Sequence, residues 1–137
     1  MKPLQRFLTA GMIIFILNII WESSHHSLYL DLSGIPKYPH LIIASFADTL
    51  ILIGIFVLVA LKNKNFNWIR YPCKLDYLLV VVISLAVAII IELINLKLGR
   101  WEYTTAMPTL FGMGLSPLIQ LALTGIISLI MINFVEN

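Results

Sequence analysis

The chain has 137 residues, 60% of them hydrophobic and 12% charged, with a net charge of +2 and a mean hydropathy of +0.96. A soluble domain carries about twice that charged fraction, so the chain reads as a single integral membrane domain with room for about four crossings of a hydrocarbon layer about 30 Å thick. That excludes a Rossmann enzyme and a multi-domain transporter; the dispersed charge leaves no nucleic-acid footprint, and Cys73, the lone cysteine, permits no intrachain disulfide.

The first predicted helix covers residues 5–28. Phe7 to Trp21 is a run of 15 uncharged residues that rises only about 22 Å as a helix. To cross, the helix must continue past Glu22, carrying Glu22, His25 and His26 into the outer layer of the membrane or onto a water-lined wall. Lys2 and Arg6 ahead of an apolar run look like a signal peptide, but Trp-Glu-Ser-Ser-His-His follows in place of a small-residue cleavage site, so this is an uncleaved first span. The second helix, 41–61, has Asp48 as its only charge, and the third, 77–97, has only Glu92 before Lys97. Tyr103 to Val135 is uncharged, but Pro108, Gly112, Gly114 and Pro117 break its first half. The last helix is therefore 116–134, preceded by an interfacial or re-entrant loop over 104–115. The expectation is an all-α, four-helix transmembrane bundle of up-down-up-down connectivity.

Six Lys and Arg residues lie on the N-terminus and the second loop, against Lys37, Lys97 and Arg100 on the other side. The positive-inside rule then puts both termini in the cytoplasm and the protein in the cell membrane. Trp68 and Tyr71 are expected in the inner interfacial belt, and Trp21, Tyr29, Tyr38 and Trp101 in the outer one.

Each helix carries its polar and small residues on one stripe at spacings of three or four. The stripes are Asn18, Glu22 and His25; Ala44, Ser45 and Asp48; Ser84, Ala88, Glu92 and Asn95; and Ser116, Gln120, Thr124 and Ser128. With the predicted connectivity, Glu22, Asp48 and Glu92 share one end of the bundle. An ionisable group in hydrocarbon costs at least about 2.5 kcal/mol, so three of them need either partners or a task. One reading is a buried network that fixes helix packing, with the acids bonded to Asn95, Gln120 or Arg100. The other is an outward-facing pocket in which Glu92, Asp48 and Glu22 supply acid/base chemistry, Arg100 anchors a ligand electrostatically, and Trp101, Tyr103, Asn95, Gln120, His25 and Asn18 line the binding site. Glu22-x-x-His25, with His26 and His40 nearby, has a metal-binding spacing. A two-metal bundle site needs that motif twice, and here it occurs once, so no metal or other cofactor is expected.

The pattern Asn18-x-x-Trp21-Glu22, Leu28-Tyr29, Asp48, Glu92, Gly99-Arg100-Trp101-x-Tyr103, Met107-Pro108 and Gly114-Leu115-x-Pro117-x-x-Gln120 resembles a family of small four-span prokaryotic membrane proteins with no assigned activity. More remotely, Glu92 to Thr124 is similar to the membrane-embedded lycopene cyclase domain. The adjacent acids that usually follow the proline in that domain are here Leu118, Ile119 and Gln120. The resemblance implies an isoprenoid or other lipid entering sideways from the membrane, with Trp101 and Tyr103 offering π faces to developing positive charge. A homo-oligomer or a membrane partner protein is a further expected association. The rival function is a non-catalytic accessory subunit whose carboxylates pair with a partner's helix. Ion passage is disfavoured, since 50–61 and 77–86 offer little polar beyond Ser84.

Overall fold

The computed structural model describes residues 1–31 and 34–136. Four helices make up the bundle: α1 (Pro3–His25), α2 (Lys37–Asn63), α3 (Lys74–Lys97) and α4 (Leu115–Glu136). All four are long and apolar enough to cross a membrane, which makes this a multi-pass membrane protein. Short strands β1 (Tyr29–Asp31) and β2 (Trp101–Tyr103) form one antiparallel ribbon, and β3 (Thr109–Leu110) and β4 (Met113–Gly114) another.

Local chemistry sets the helix ends. Pro3 opens α1, where its missing N–H is no loss, and the Gln5 side chain accepts the Lys2 N–H at 2.8 Å. Helix α2 begins at Lys37, earlier than predicted, because Pro39 falls in the first turn and is tolerated there. The Asp76 carboxylate accepts the Cys73 N–H at 2.9 Å at the start of α3. The far end of α3 closes on Gly99, with φ +62°. There the Gly99 N–H bonds to Leu96 O and the Arg100 N–H to Asn95 O, both at 3.1 Å, the paired bonds of a Schellman cap.

Helix α1 packs against α2 and α4, α4 packs against α3, and α2 and α3 touch least of these neighbouring pairs. At the end of the bundle that holds the chain termini, the core is apolar: Ile14, Leu52, Phe56, Val80, Leu129 and Ile132 are fully enclosed. Gly125 lets α4 approach closely there, since a Cβ at that position would lie 3.0 Å from Leu52 Cδ2 and 3.2 Å from Val80 Cγ1. In the opposite half the core turns polar. Asn18, Ser45, Glu92, Gln120 and Thr124 are all buried, as the four stripes predict.

One sequence expectation fails at the terminal end. Trp68 is not displayed at an interface but buried, stacked edge-on to Phe56 and donating its indole N–H to Phe56 O at 3.1 Å. Arg6 is buried as well, donating to Asn67 Oδ1 at 2.5 Å. The loop between α2 and α3 folds back under the bundle and closes it. Tyr71 does remain exposed, beneath the Arg70 guanidinium.

The predicted loop over 104–115 contains the β3–β4 hairpin, whose two-residue turn places Phe111 and Gly112 at positive φ, as a type I′ turn requires. The β1–β2 ribbon pairs Tyr29 with Tyr103 and Asp31 with Trp101. It is extended by the Thr104 N–H bonding to Leu28 O at 2.9 Å. The first and third loops are thereby tied together across the polar end of the bundle.

Candidate functional site

The polar stripes meet at Gln120, in the second turn of α4. Its Nε2 donates to Asp48 Oδ2 at 2.7 Å and to Glu22 Oε1 at 2.8 Å, with Asn18 Oδ1 at 3.4 Å. Two carboxyl oxygens converging on one nitrogen bring Glu22 and Asp48 close enough to interact directly. Helix α1 carries Asn18 one turn below Glu22, and α2 presents Asp48 from the adjacent wall. The Thr124 hydroxyl donates back to Gln120 O at 2.9 Å, so the helix segment that presents the amide is itself braced.

Glu92 lies apart from this pair. It accepts a hydrogen bond from the Tyr103 hydroxyl, and the Trp101 indole N–H is buried close by. Glycine 114 makes that possible: a Cβ there would stand 2.9 Å from Tyr103 Cε1 and 3.1 Å from the Pro117 ring. The Tyr103 ring therefore lies directly on the Gly114 backbone. Tyr29 completes an aromatic wall, with ring centroids 5.7 Å from Tyr103 and 6.1 Å from Trp101. Burial pushes the Tyr29 hydroxyl far up from its ordinary pKa, and the nearby Glu92 and Glu22 carboxyls add to this. Burial raises Tyr103 too, and its hydrogen bond to Glu92 reinforces the shift. Both phenols stay protonated donors.

Arg100 is held by Asn95. Besides the backbone cap, Arg100 Nη1 donates to Asn95 Oδ1 at 3.2 Å, and Asn95 Nδ2 is fixed in turn on Ile91 O at 2.8 Å. The guanidinium makes no ion pair with Glu22, Asp48 or Glu92.

These groups border a cavity of about 400 Å³ at the loosely packed seam between α2 and α3. Its polar lining includes Glu22, Asp48, Glu92, Arg100 and Gln120; its apolar lining includes Ile43, Ala44, Ala47 and Ile51 of α2 and Ala88 and Ile91 of α3. Ile43 and Ala47 are exposed on the outer surface of α2.

Of the predicted site residues, Glu22, Asp48, Glu92, Arg100, Trp101 and Gln120 line this cavity. Asn18, Asn95 and Tyr103 stand behind it as hydrogen-bond supports. His25 is placed elsewhere: its ring stacks on Trp21 at 4.6 Å, with Nδ1 3.0 Å from Trp21 O. The Glu22-x-x-His25 spacing therefore does not converge. His26 and His40 reach the cavity edge-to-face, 6.3 Å apart, and among the described residues no three His, Cys, Asp or Glu side chains are grouped to hold a metal ion. Tyr29 is the lining residue that sequence reasoning assigned to an interfacial belt instead; its pairing with Tyr103 leaves no local signal in the sequence.

Compared with known protein families, curated proteins and solved structures, the chain matches none.

Proposed function

We propose that the bundle binds an isoprenoid or other lipid, taken in sideways between α2 and α3, in a cell membrane with both termini cytoplasmic. One observation carries the reading: the cavity joins a polar end, where Glu22, Asp48 and Gln120 meet, to an apolar seam at the loosest of the neighbouring helix contacts. An amphiphile matches such a site, because its chain fills the apolar wall while its polar atoms meet the few placed groups. The catalytic form of the same reading is an intramembrane enzyme. Glu22 and Asp48 would exchange a proton with the ligand as a coupled pair, Glu92 would act as a second acid held by Tyr103, and the Trp101 and Tyr29 rings would face developing positive charge.

The accessory-subunit reading is less well supported. Its carboxylates should be in want of a partner's donor, whereas Glu22 and Asp48 have Gln120, and Glu92 has Tyr103. Ion passage is disfavoured by the apolar core of Leu52, Phe56, Val80, Leu129 and Ile132 below the site.

The test is native mass spectrometry of gently purified protein, with extraction and identification of the lipid that accompanies it. A defined lipid should be retained by the unmodified protein and lost in Ala47→Trp, which fills the seam from an exposed position. A ligand-free bundle that carries a stoichiometric partner protein instead would overturn the proposal in favour of the accessory role.

A further inference from the structure

The cavity's acids and its one arginine are in different circumstances. Each carboxyl group already has a donor from within the bundle: Gln120 serves Glu22 and Asp48, and Tyr103 serves Glu92. A guanidinium offers five N–H donors in a planar fork, yet Arg100 makes a single side-chain hydrogen bond among the described residues, to the neutral Asn95 amide. Asn95 nevertheless fixes it twice, through the helix cap and through the side chain. Arg100 is exposed at the rim of the cavity, and its bond to Asn95 keeps the guanidinium at that rim. Such preorganisation without an anionic partner characterises a recognition arginine.

The helix termini add to the same field. Both α2 and α4 begin at this end of the bundle, and first-turn residues of each, His40 and Pro117, line the cavity. Their positive dipole ends favour an anion at the rim.

Resting on the lipid-binding reading above, we infer that the ligand carries an anionic head, a phosphate or carboxylate seated on Arg100 at the rim, with its apolar chain running into the α2–α3 seam. The arginine fork accepts two oxygens of such a head side by side, which a hydroxyl cannot match.

The experiment measures calorimetric binding of four probes to the full chain in a neutral maltoside detergent: farnesyl phosphate, farnesol, farnesylamine and inorganic phosphate. Farnesyl phosphate should bind about tenfold or more tightly than farnesol, the ratio expected of one charge-assisted hydrogen-bonded contact. Arg100→Gln should bring that ratio close to one, and Arg100→Lys, which keeps the charge but loses the fork, should leave an intermediate ratio. Equal binding of phosphate and alcohol, or preference for the amine, overturns the anionic head and leaves the lipid pocket standing. Failure of all three amphiphiles overturns the pocket itself. Inorganic phosphate binding as tightly as farnesyl phosphate would overturn the lipid head in favour of a free anion. The probe comparison on the unmodified protein decides the matter even where a variant fails to fold.

Discussion

Gln120→Leu tests the centre of the polar core. The side chain is almost fully buried, and its Nε2 serves Asp48 and Glu22 at 2.7 and 2.8 Å. Leucine preserves most of the volume but leaves both carboxyl groups without their donor. Hydrogen bonds between membrane helices average about 0.6 kcal/mol when the partners can find substitutes, while those to charged groups are worth about 1.5–3 kcal/mol. Here substitutes are scarce, because among the described residues no Lys or Arg is bonded to either acid and Gln120 is the donor that both share. Two such losses therefore cost about 3–6 kcal/mol, read as a shift in the denaturant unfolding of the protein in mixed micelles. The cost arises from stranded acids and not from the missing amide as such, so it should shrink in the triple variant Gln120→Leu, Glu22→Leu, Asp48→Leu, where an apolar set replaces the whole group. A single variant that unfolds within about 0.5 kcal/mol of the unmodified protein, or a triple variant less stable than the single one, would refute this account.

Three other outcomes follow from the geometry. Gly114→Ala should destabilise the protein by about 1–3 kcal/mol, the usual range for overpacking, because its methyl meets Tyr103 Cε1 at 2.9 Å and the Pro117 ring at 3.1 Å; in a Tyr103→Ala background, thermal unfolding should show part of that cost gone and the Pro117 part remaining. Gly11→Ala, whose added methyl has its nearest atom 3.8 Å away, should stabilise α1 by about 0.5–1 kcal/mol in the same assay, whereas at Gly125 crowding on Leu52 and Val80 at 3.0 and 3.2 Å should remove that gain. Tyr29 and Tyr103 have raised pKa values in the folded state. Their contribution is therefore intact below the unfolded phenol value of about 10 and is lost as pH rises above it. Alkaline unfolding, followed by phenolate absorbance, should be less steep in the Tyr29→Phe, Tyr103→Phe variant, and an unchanged slope would contradict the shifts.

Much of this arrangement is written in helical periodicity. Asn18 and Glu22, Ser84, Ala88 and Glu92, and Gln120 and Thr124 recur at intervals of four, which suffices to place them on inward faces. The limit of that rule shows at His25, which was grouped with Glu22 by a spacing of three. It also lies four residues beyond Trp21, directly above that ring on the helix surface, and the stacking contact prevails. Pairings between distant segments were not legible. Nothing local to Tyr29 indicates Tyr103 as its strand partner, and nothing at Trp68 indicates that its loop turns back beneath Phe56. A preference for interfaces describes an aromatic residue's two-sided character and is overridden when folding offers an enclosed acceptor such as Phe56 O. The division of the acids, Glu22 with Asp48 and Glu92 with Tyr103, likewise depends on how α4 and the β2 loop sit between the helices.

The Glu22–Gln120–Asp48 contact also joins the two halves of the chain. Helices α1 and α2 form one hairpin and contribute two acids that the nearby Asn18 amide does not serve; α3 and α4 form the other and contribute Gln120, which serves both. Neither hairpin alone satisfies its polar groups in lipid, where water is not at hand to do so. Their meeting therefore acts as a registration mark, favouring the one alignment in which acids and amide coincide. The β1–β2 ribbon, drawn from one loop of each hairpin, can zip only once that alignment is reached. The cavity takes Glu22 and Asp48 from one hairpin and Glu92 and Gln120 from the other, so the site exists only where the two have met.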